Sequence, residues 1–418
     1  MKSISSALLA TSLFGITCAH AEHGGFLFKG FTGDTPMDQA WSMFNLYKND
    51  DNQILQEFSL QGRLHVQSIY GENEDQVFNT DDYKMAGNDE SVWGNDIEAR
   101  RARFGFKSKW FQNWKFDGMI NVDTDGHDGD FSDTLYKDLY DLYVTYAPSD
   151  AFNASVGKTK VKFSREQEIS SNNILTLERS LVSNIMFPGE LTGAWVSGKG
   201  IQGGWLYELG VYGNDRQREF TDASGGAIVL AKVGYDYAEQ MGFDTAVASI
   251  HFMHNSEPGF QSGFDTEYTT GVSPVFTESI AITNDITQGR FGLTSELLYG
   301  FGFDGIPEVD GAPGAAINQA NVVALSVIPS YFIAEGLQLV GRLQVANGDG
   351  ANSLRVSSRY ERLENSDSRG NTYASAYLGV NYYLYGHKLK LMNGIERSHL
   401  GGGEFDGYTF MSGLRFSF

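Results

Sequence analysis

Arg101, Arg103, Lys107 and Lys109 fall on alternate positions of the stretch IEARRARFGFKSKW, residues 97–110, with Gly105 between them. Ala102, Phe104, Phe106, Ser108 and Trp110 fill the intervening positions. Read as a strand, the stretch places its bases on one face and its apolar side chains on the other, because successive strand residues point to opposite sides. Like charges stacked on one face repel each other, so the ladder needs a counterpart. Arginine offers a planar fork of N–H donors that stays charged and can replace the water around an anion. Rings of basic side chains are a known device of anion pores.

Other candidate groups carry less chemistry. DTDGHDGDFSD, residues 123–133, gathers five aspartates, but the spacing does not match a calcium-loop template, and a solvated acidic loop explains it. His251 and His254 are three apart, so on one strand they face opposite sides and cannot share a metal. No nucleophile elbow, zinc-binding helix or phosphate-cradling glycine loop is present, and no catalytic residue, metal or cofactor is expected. Lys158, Lys160 and Lys162 recur every second residue. Unbroken alternation points them at lipid, so they are read as solvated lysines snorkelling to the membrane interface at the strand's outer end, with a bulge that turns them into the pore as the alternative.

The elements that position the ladder follow from period. From residue 55 onward apolar and polar residues alternate in FSLQGRLHVQ, WKFDGMINVD, WLYELGVYG, AIVLAKVGYDY, RFGLTSELLYG, LQLVGRLQVA, YASAYLGVNYYLYG and KLKLMNGIE. About sixteen such segments are found, each about 10–14 residues and long enough to cross a bilayer when tilted. Short links (FQN, PSD, KGI, AEQ, NDI, AEG, YGH) alternate with long polar ones near 71–96, 124–135, 162–192, 214–225, 255–272, 302–320, 347–370 and 398–404. Short turns on one side and long loops on the other are the mark of a transmembrane antiparallel β-barrel. A soluble sandwich has no reason to keep that parity.

The ends agree. Lys2, the apolar run ALLATSLFGITC and Ala19-His20-Ala21 form a signal-peptide pattern over 1–21, which also carries the only cysteine, Cys18. Residues 22–54 read as a periplasmic segment with a short amphipathic helix. Asp34 or Thr35 caps it, Pro36 opens it, and Met37, Ala40, Trp41, Phe44 and Tyr47 form its stripe. The barrel then occupies 55–418 and closes on the aromatic-ended strand YTFMSGLRFSF. The formal charge of −21 argues against nucleic-acid binding.

FSLQGRLHVQ (58–67), EARRARFGFKSKW (98–110), LYDLYVTYAP (139–148), VGKTKVKFSREQEISSNNILTLERSL from Val156, and LGVNYYLYGHKLKL (378–391) resemble the phosphate-selective porin O and P family of Gram-negative outer membranes. The resemblance covers about 55–418. It implies a 16-stranded barrel in the outer membrane, commonly a homotrimer in contact with outer-membrane lipid. Its arginine- and lysine-lined constriction passes small inorganic anions, phosphate among them. It places pore arginines at Arg63, Arg100, Arg101, Arg103 and Arg179. Alternation agrees for Arg63, Arg101 and Arg103 but puts Arg100 on the apolar face, so either a bulge shifts the register or Arg100 lies at the membrane edge.

A sixteen-stranded lumen is too wide to select small ions unaided, so a loop must fold inward. The segment near 162–192 is the candidate, bringing Arg165 and Arg179 with Glu166, Glu168 and Glu178. Its cations are expected to face the basic wall of Arg63, Arg101, Arg103 and Lys107. The simpler alternative is that its Arg and Glu residues pair to hold the loop. Arg216 and Arg218 in NDRQREF are the only counterpart of an outer anion funnel, and Asp215 and Glu219 flank them. That departure leaves a weakly selective porin as the alternative. A barrel enzyme is disfavoured because the histidines show no Asp/His or Ser/His pairing.

Overall fold

In a computed structural model, residues 32–73, 79–80, 83–84, 92–122, 136–215, 217–221, 225–258, 276–303, 319–350, 353–355, 369–402 and 405–418 are described. Sixteen long strands form the barrel. The first eight are β1 Leu55–Asn73, β2 Val92–Trp110, β3 Trp114–Val122, β4 Tyr136–Ser149, β5 Phe152–Lys160, β6 Glu190–Ile201, β7 Trp205–Gly213 and β8 Ala227–Asp236. The second eight are β9 Thr245–Asn255, β10 Glu278–Gln288, β11 Phe291–Phe301, β12 Val322–Ala334, β13 Leu337–Gly348, β14 Thr372–Tyr385, β15 Leu389–Gly401 and β16 Phe405–Ser417. Each pairs antiparallel with its chain neighbour, and β1 meets β16 from Arg63↔Ser417 to Gly71↔Thr409. That last pairing closes the sheet and leaves no edge to satisfy in lipid.

Alternation sorts the side chains inside out. Leu64, Phe104, Val156, Leu209, Ile250, Leu343 and Leu378 are exposed on the outer wall, while His65, Gln67, Arg101, Glu296, Gln344 and Arg415 are buried toward the lumen. Lipid is the solvent that rewards such an outer face. The spacing of the strands keeps the expected parity of short and long connections up to β15; the last link, expected to be long near 398–404, is only 402–404 because β15 runs on to Gly401. Two expected links are misplaced, and the first, KGI (199–201), is the end of β6, with its turn at 202–204. NDI (284–286) lies within β10, and the turn is Gly289–Arg290. Asn-Asp carries turn chemistry, but Asp285 receives Arg165 at 2.6 Å instead.

The N-terminal helix, α1 Pro36–Ser42, begins at Thr35. The Thr35 hydroxyl accepts the Asp38 N–H at 3.1 Å, and the Asp38 carboxylate accepts the Thr35 N–H at 3.1 Å. This capping box satisfies two donors that a helix start leaves open. Trp41 packs against Tyr385 and Phe416 and donates its indole N–H to the Ser417 carbonyl at 2.7 Å. Phe44 stacks on the terminal Phe418 with ring centroids 3.8 Å apart. Met37 remains exposed. Asn45–Lys48 then pairs with Glu57–Ser59 of β1, beyond the end of β16. The segment thus occupies a length of β1 edge that barrel closure alone leaves unpaired.

Candidate functional site: the inward loop and the basic wall

The connection 161–189 carries two short helices, α2 Arg165–Glu168 and α3 Leu181–Ile185. Its limb 174–178 is fastened to one wall by its carbonyls. Lys390 donates to Ile174 O at 2.7 Å, Asn381 to Leu175 O at 2.8 Å, Arg415 to Leu177 O at 2.8 Å, and Arg342 to Glu178 O at 2.7 Å. Arg342 also forks onto both Glu396 oxygens at 2.9 Å. Leu177 sits in an apolar cluster with Ile69, Val340, Tyr377 and Met392. Further along, Phe163, Leu181, Val182 and Met186 join inward-facing Leu230, Met253 and Leu298 in a second apolar cluster. Arg165 reaches Asp285 at 2.6 Å, Glu168 pairs with Lys232, and the Glu166 N–H donates to Glu296 at 2.7 Å.

The basic wall lies on the other side. In the β1–β2 ladder His65 faces Arg101 but Gln67 faces Glu98, so Ala99 and Arg100 together oppose Val66. This bulge switches the parity of β2. Beyond it Glu98 turns inward to Gln67 at 2.6 Å and Ile97 is exposed outside. Arg100 therefore reaches the lumen, where its Nε meets Glu178 Oε1 at 2.6 Å and its Nη2 meets Oε2 at 3.2 Å. Arg101 Nη2 meets the same carboxylate at 3.3 Å. Burial alone raises the Glu178 carboxyl, but the Arg100 and Arg101 guanidiniums outweigh it and hold it well below the ordinary carboxylate range. The periodicity placed Arg100 outside because a bulge leaves no trace in a count of two.

Arg103 lies 3.4 Å over the Tyr140 ring and donates to Asn121 at 2.6 Å. Arg63 donates to Ser171 at 2.8 Å. Arg179 turns back on its own loop, donating to Glu166 O at 2.7 Å and Ile169 O at 2.6 Å. Between loop and wall a cavity of about 210 Å³ is lined by Arg100, Arg101, Arg103, Lys160 and Arg179, with Glu178, Glu190 and Tyr140 among the rest.

The structure thus brings together Arg100, Arg101, Arg103 and Arg179, with Arg63 beside them. Lys107 stands apart, exposed on the rung with Asp117. Arg165 stands on the opposite side with Asp285 and Glu168. Arg218 is at the outer end of β4, 5.3 Å over Tyr136 and donating to the Lys137 carbonyl at 2.6 Å. Arg216 and the 123–133 aspartates lie outside the described residues. Of the loop's two arginines, Arg179 lines the cavity beside the wall and Arg165 pairs on the other side to hold the loop, while Glu178 is the loop side chain that meets Arg100 and Arg101.

Lys158 and Lys160 also correct the sequence reading. Gly157, at φ +137°, breaks the alternation of β5, and a Cβ there would lie 2.2 Å from the Leu142 carbonyl. Ser155 faces Thr145 inside at 2.7 Å, Val156 is exposed outside, and Lys158 is buried with its ammonium on Gln217 O at 2.7 Å. Lys160 donates to Gln167 O at 2.6 Å. Lys160 is thus a lumen residue, while the Lys158 ammonium is taken up by the connection 217–218. Arg342, Lys390 and Arg415 were missed as loop anchors, although alternation in LQLVGRLQVA, KLKLMNGIE and LRFSF already puts them on the polar face. His251 and His254 do face apart: His251 is buried edge-on to Phe163, and His254 meets Glu278 at 3.1 Å. No cluster of three metal-ligating side chains occurs among the described residues.

Comparison with known proteins points to the same class. The family described as phosphate-selective porin O and P matches residues 75–394. No curated protein matches the sequence. The outer membrane channel DcaP of Acinetobacter baumannii is similar in fold at 15% identity, covering 89% of this chain and 99% of that one, with a TM-score of 0.50. An anion-selective porin from Comamonas acidovorans aligns at 12% identity over 86% and 99% of the two chains, TM-score 0.52. Salmonella typhi OmpF, in complex with daunomycin, aligns at 12% identity over 89% and 99%, TM-score 0.54. At these identities the structures speak for the barrel, and the family match over most of the chain speaks for descent. The sixteen-stranded closed wall and its inward loop are thus those of an outer-membrane channel, and the chain belongs to the phosphate-selective porin O and P family.

Proposed function

We propose that the channel passes small inorganic anions, phosphate among them, by diffusion between the loop 161–189 and the wall of β2–β5. The path runs over Arg63, Arg100, Arg101, Arg103 and Arg179, with Lys107 farther along and Arg218 at the outer mouth. The observation that carries this reading is the cavity lined by five cations and two carboxylates, one of which is already held by two arginines. Weak, repeated donors of this kind bind an anion well enough to admit it and loosely enough to release it. The same reading has residues 1–21 removed on export and the barrels assembled as homotrimers in lipid.

Reversal potentials in a potassium chloride gradient across a planar bilayer test it. Charge reversal of Arg101 and Arg103 together should shift the potential toward cations; an unchanged potential would falsify the anion path. A weakly selective pore is the second reading, favoured by the Glu178 carboxylate in the basic wall. It predicts a wild-type potential close to zero and equal passage of phosphate and neutral solutes of similar size.

A further inference from the structure

The cavity beside the basic wall holds both signs of charge on different strands. Arg101, on β2, is 7% exposed, and its Nη1 has no hydrogen-bond partner. Glu190, the first residue of β6, lines the same cavity four strands along the wall. Glu178 is held by Arg100 and Arg101, whereas the Glu190 carboxylate, though near the Lys158 and Lys160 charges, makes no hydrogen bond or ion pair among the described residues. Lys160 is its partner on the β5–β6 rung, yet the Lys160 ammonium turns to the Gln167 carbonyl at 2.6 Å. An unpaired guanidinium nitrogen and an unclaimed carboxylate therefore share one small space. Four strands at roughly 4.8 Å span about 19 Å of wall, and an arginine and a glutamate reaching inward shorten that gap.

We infer that this cavity is a binding subsite for small zwitterions, solutes with a carboxylate at one end and an ammonium at the other across a short chain. The carboxylate meets Arg101 and Arg103, and the ammonium meets Glu190. The inference rests on the anion path proposed above, because it takes the same arginines as the anionic half of the site. It adds that a matched cationic end strengthens binding where a plain anion finds only half the contacts.

Block of chloride current through single channels reads this directly, with 4-aminobutanoate, butanoate and butylammonium as probes of matched length. In the wild type 4-aminobutanoate should block at lower concentration than either of the others. In Glu190→Gln the ratio of the butanoate to the 4-aminobutanoate blocking constant should fall about fivefold, the scale of one partly exposed ion pair. Glu190→Asp, which keeps the charge, should retain most of the ratio and serves if the glutamine variant does not insert. An anion-selective wild type blocked equally by butanoate and 4-aminobutanoate overturns the subsite and leaves the anion path standing. A ratio unchanged by both substitutions overturns it too. A wild type without anion preference removes both readings together.

Discussion

On the wall of β13–β16, Arg342, Lys390 and Arg415 aim their donors at loop carbonyls, and Arg342 also closes on Glu396. On the wall of β2–β5, Arg103 lies over an aromatic ring and Lys160 meets one neutral oxygen, beside open space. Both walls follow the same inward alternation and use the same residue types. What differs is how fully the loop 161–189 takes up their donors: on the β2–β5 wall it reaches Lys160, Arg63, Arg100 and Arg101, and leaves Arg103 to Tyr140 and Asn121. A basic side chain whose donors the loop takes up becomes a fastener, and under the proposed anion path one with donors to spare meets a solute. Arg100 and Arg101 stand at the border, since Glu178 crosses from the fastened limb to hold both.

The comparison breaks most sharply at Glu396. Glu396→Gln leaves Arg342 buried and undercompensated, which costs about 3–5 kcal/mol. It should lower the urea midpoint in detergent and make the single-channel current noisier as the limb 174–178 loosens. An unchanged midpoint and a quiet current would show that the carbonyl bonds hold the limb without that acid.

Glu178→Gln removes the carboxylate shared by Arg100 and Arg101 and should cost roughly 2–3 kcal/mol while raising anion selectivity. Its folded carboxyl lies below the ordinary range, so its contribution is complete above the unfolded value of about 4.3 and is lost as pH falls through the lower folded value. The stability gap between wild type and Glu178→Gln should therefore be wide at pH 6 and shrink in strongly acidic buffer. A gap constant with pH contradicts the assignment.

Gly157→Val tests how β5 turns Lys160 inward. A side chain at this φ stores about 1–3 kcal/mol of strain, and the approach of 2.2 Å to Leu142 O forces the strand to shift. A lower unfolding temperature, with altered anion selectivity as Lys160 moves, is the expected result. The smallest effect belongs to Arg165→Ala. Its side chain is 33% exposed where it meets Asp285, so its loss should cost under about 1 kcal/mol. A loss as large as that of Glu396→Gln would mean that both sides of the loop are fastened equally.

Much of this was legible in residue order. WKFDGMINVD and LQLVGRLQVA reveal their strands because period two is a property of one chain segment and needs no partner. Thr35 and Pro36 mark their helix start for the same local reason. Arg100 was not legible: its direction depends on one extra residue against β1, and pairing register is set across strands. Asp285 read as turn chemistry until Arg165, 120 residues away, claimed it. Lys158 and Lys160 read as lipid-side because the break at Gly157 is a backbone angle, and glycine alone does not announce it.

The sequence by itself determined the closed barrel, the parity of its loops, and the inward face of Arg63, Arg101, Arg103, Arg342 and Arg415. Those follow from alternation, which backbone geometry enforces within each strand. Only the tertiary structure decided which of these cations the loop takes up fully and which keep donors beside the cavity. That choice depends on where one loop comes to rest, through contacts such as Arg342 with Glu178, 164 residues apart, and no local pattern encodes a meeting at that range.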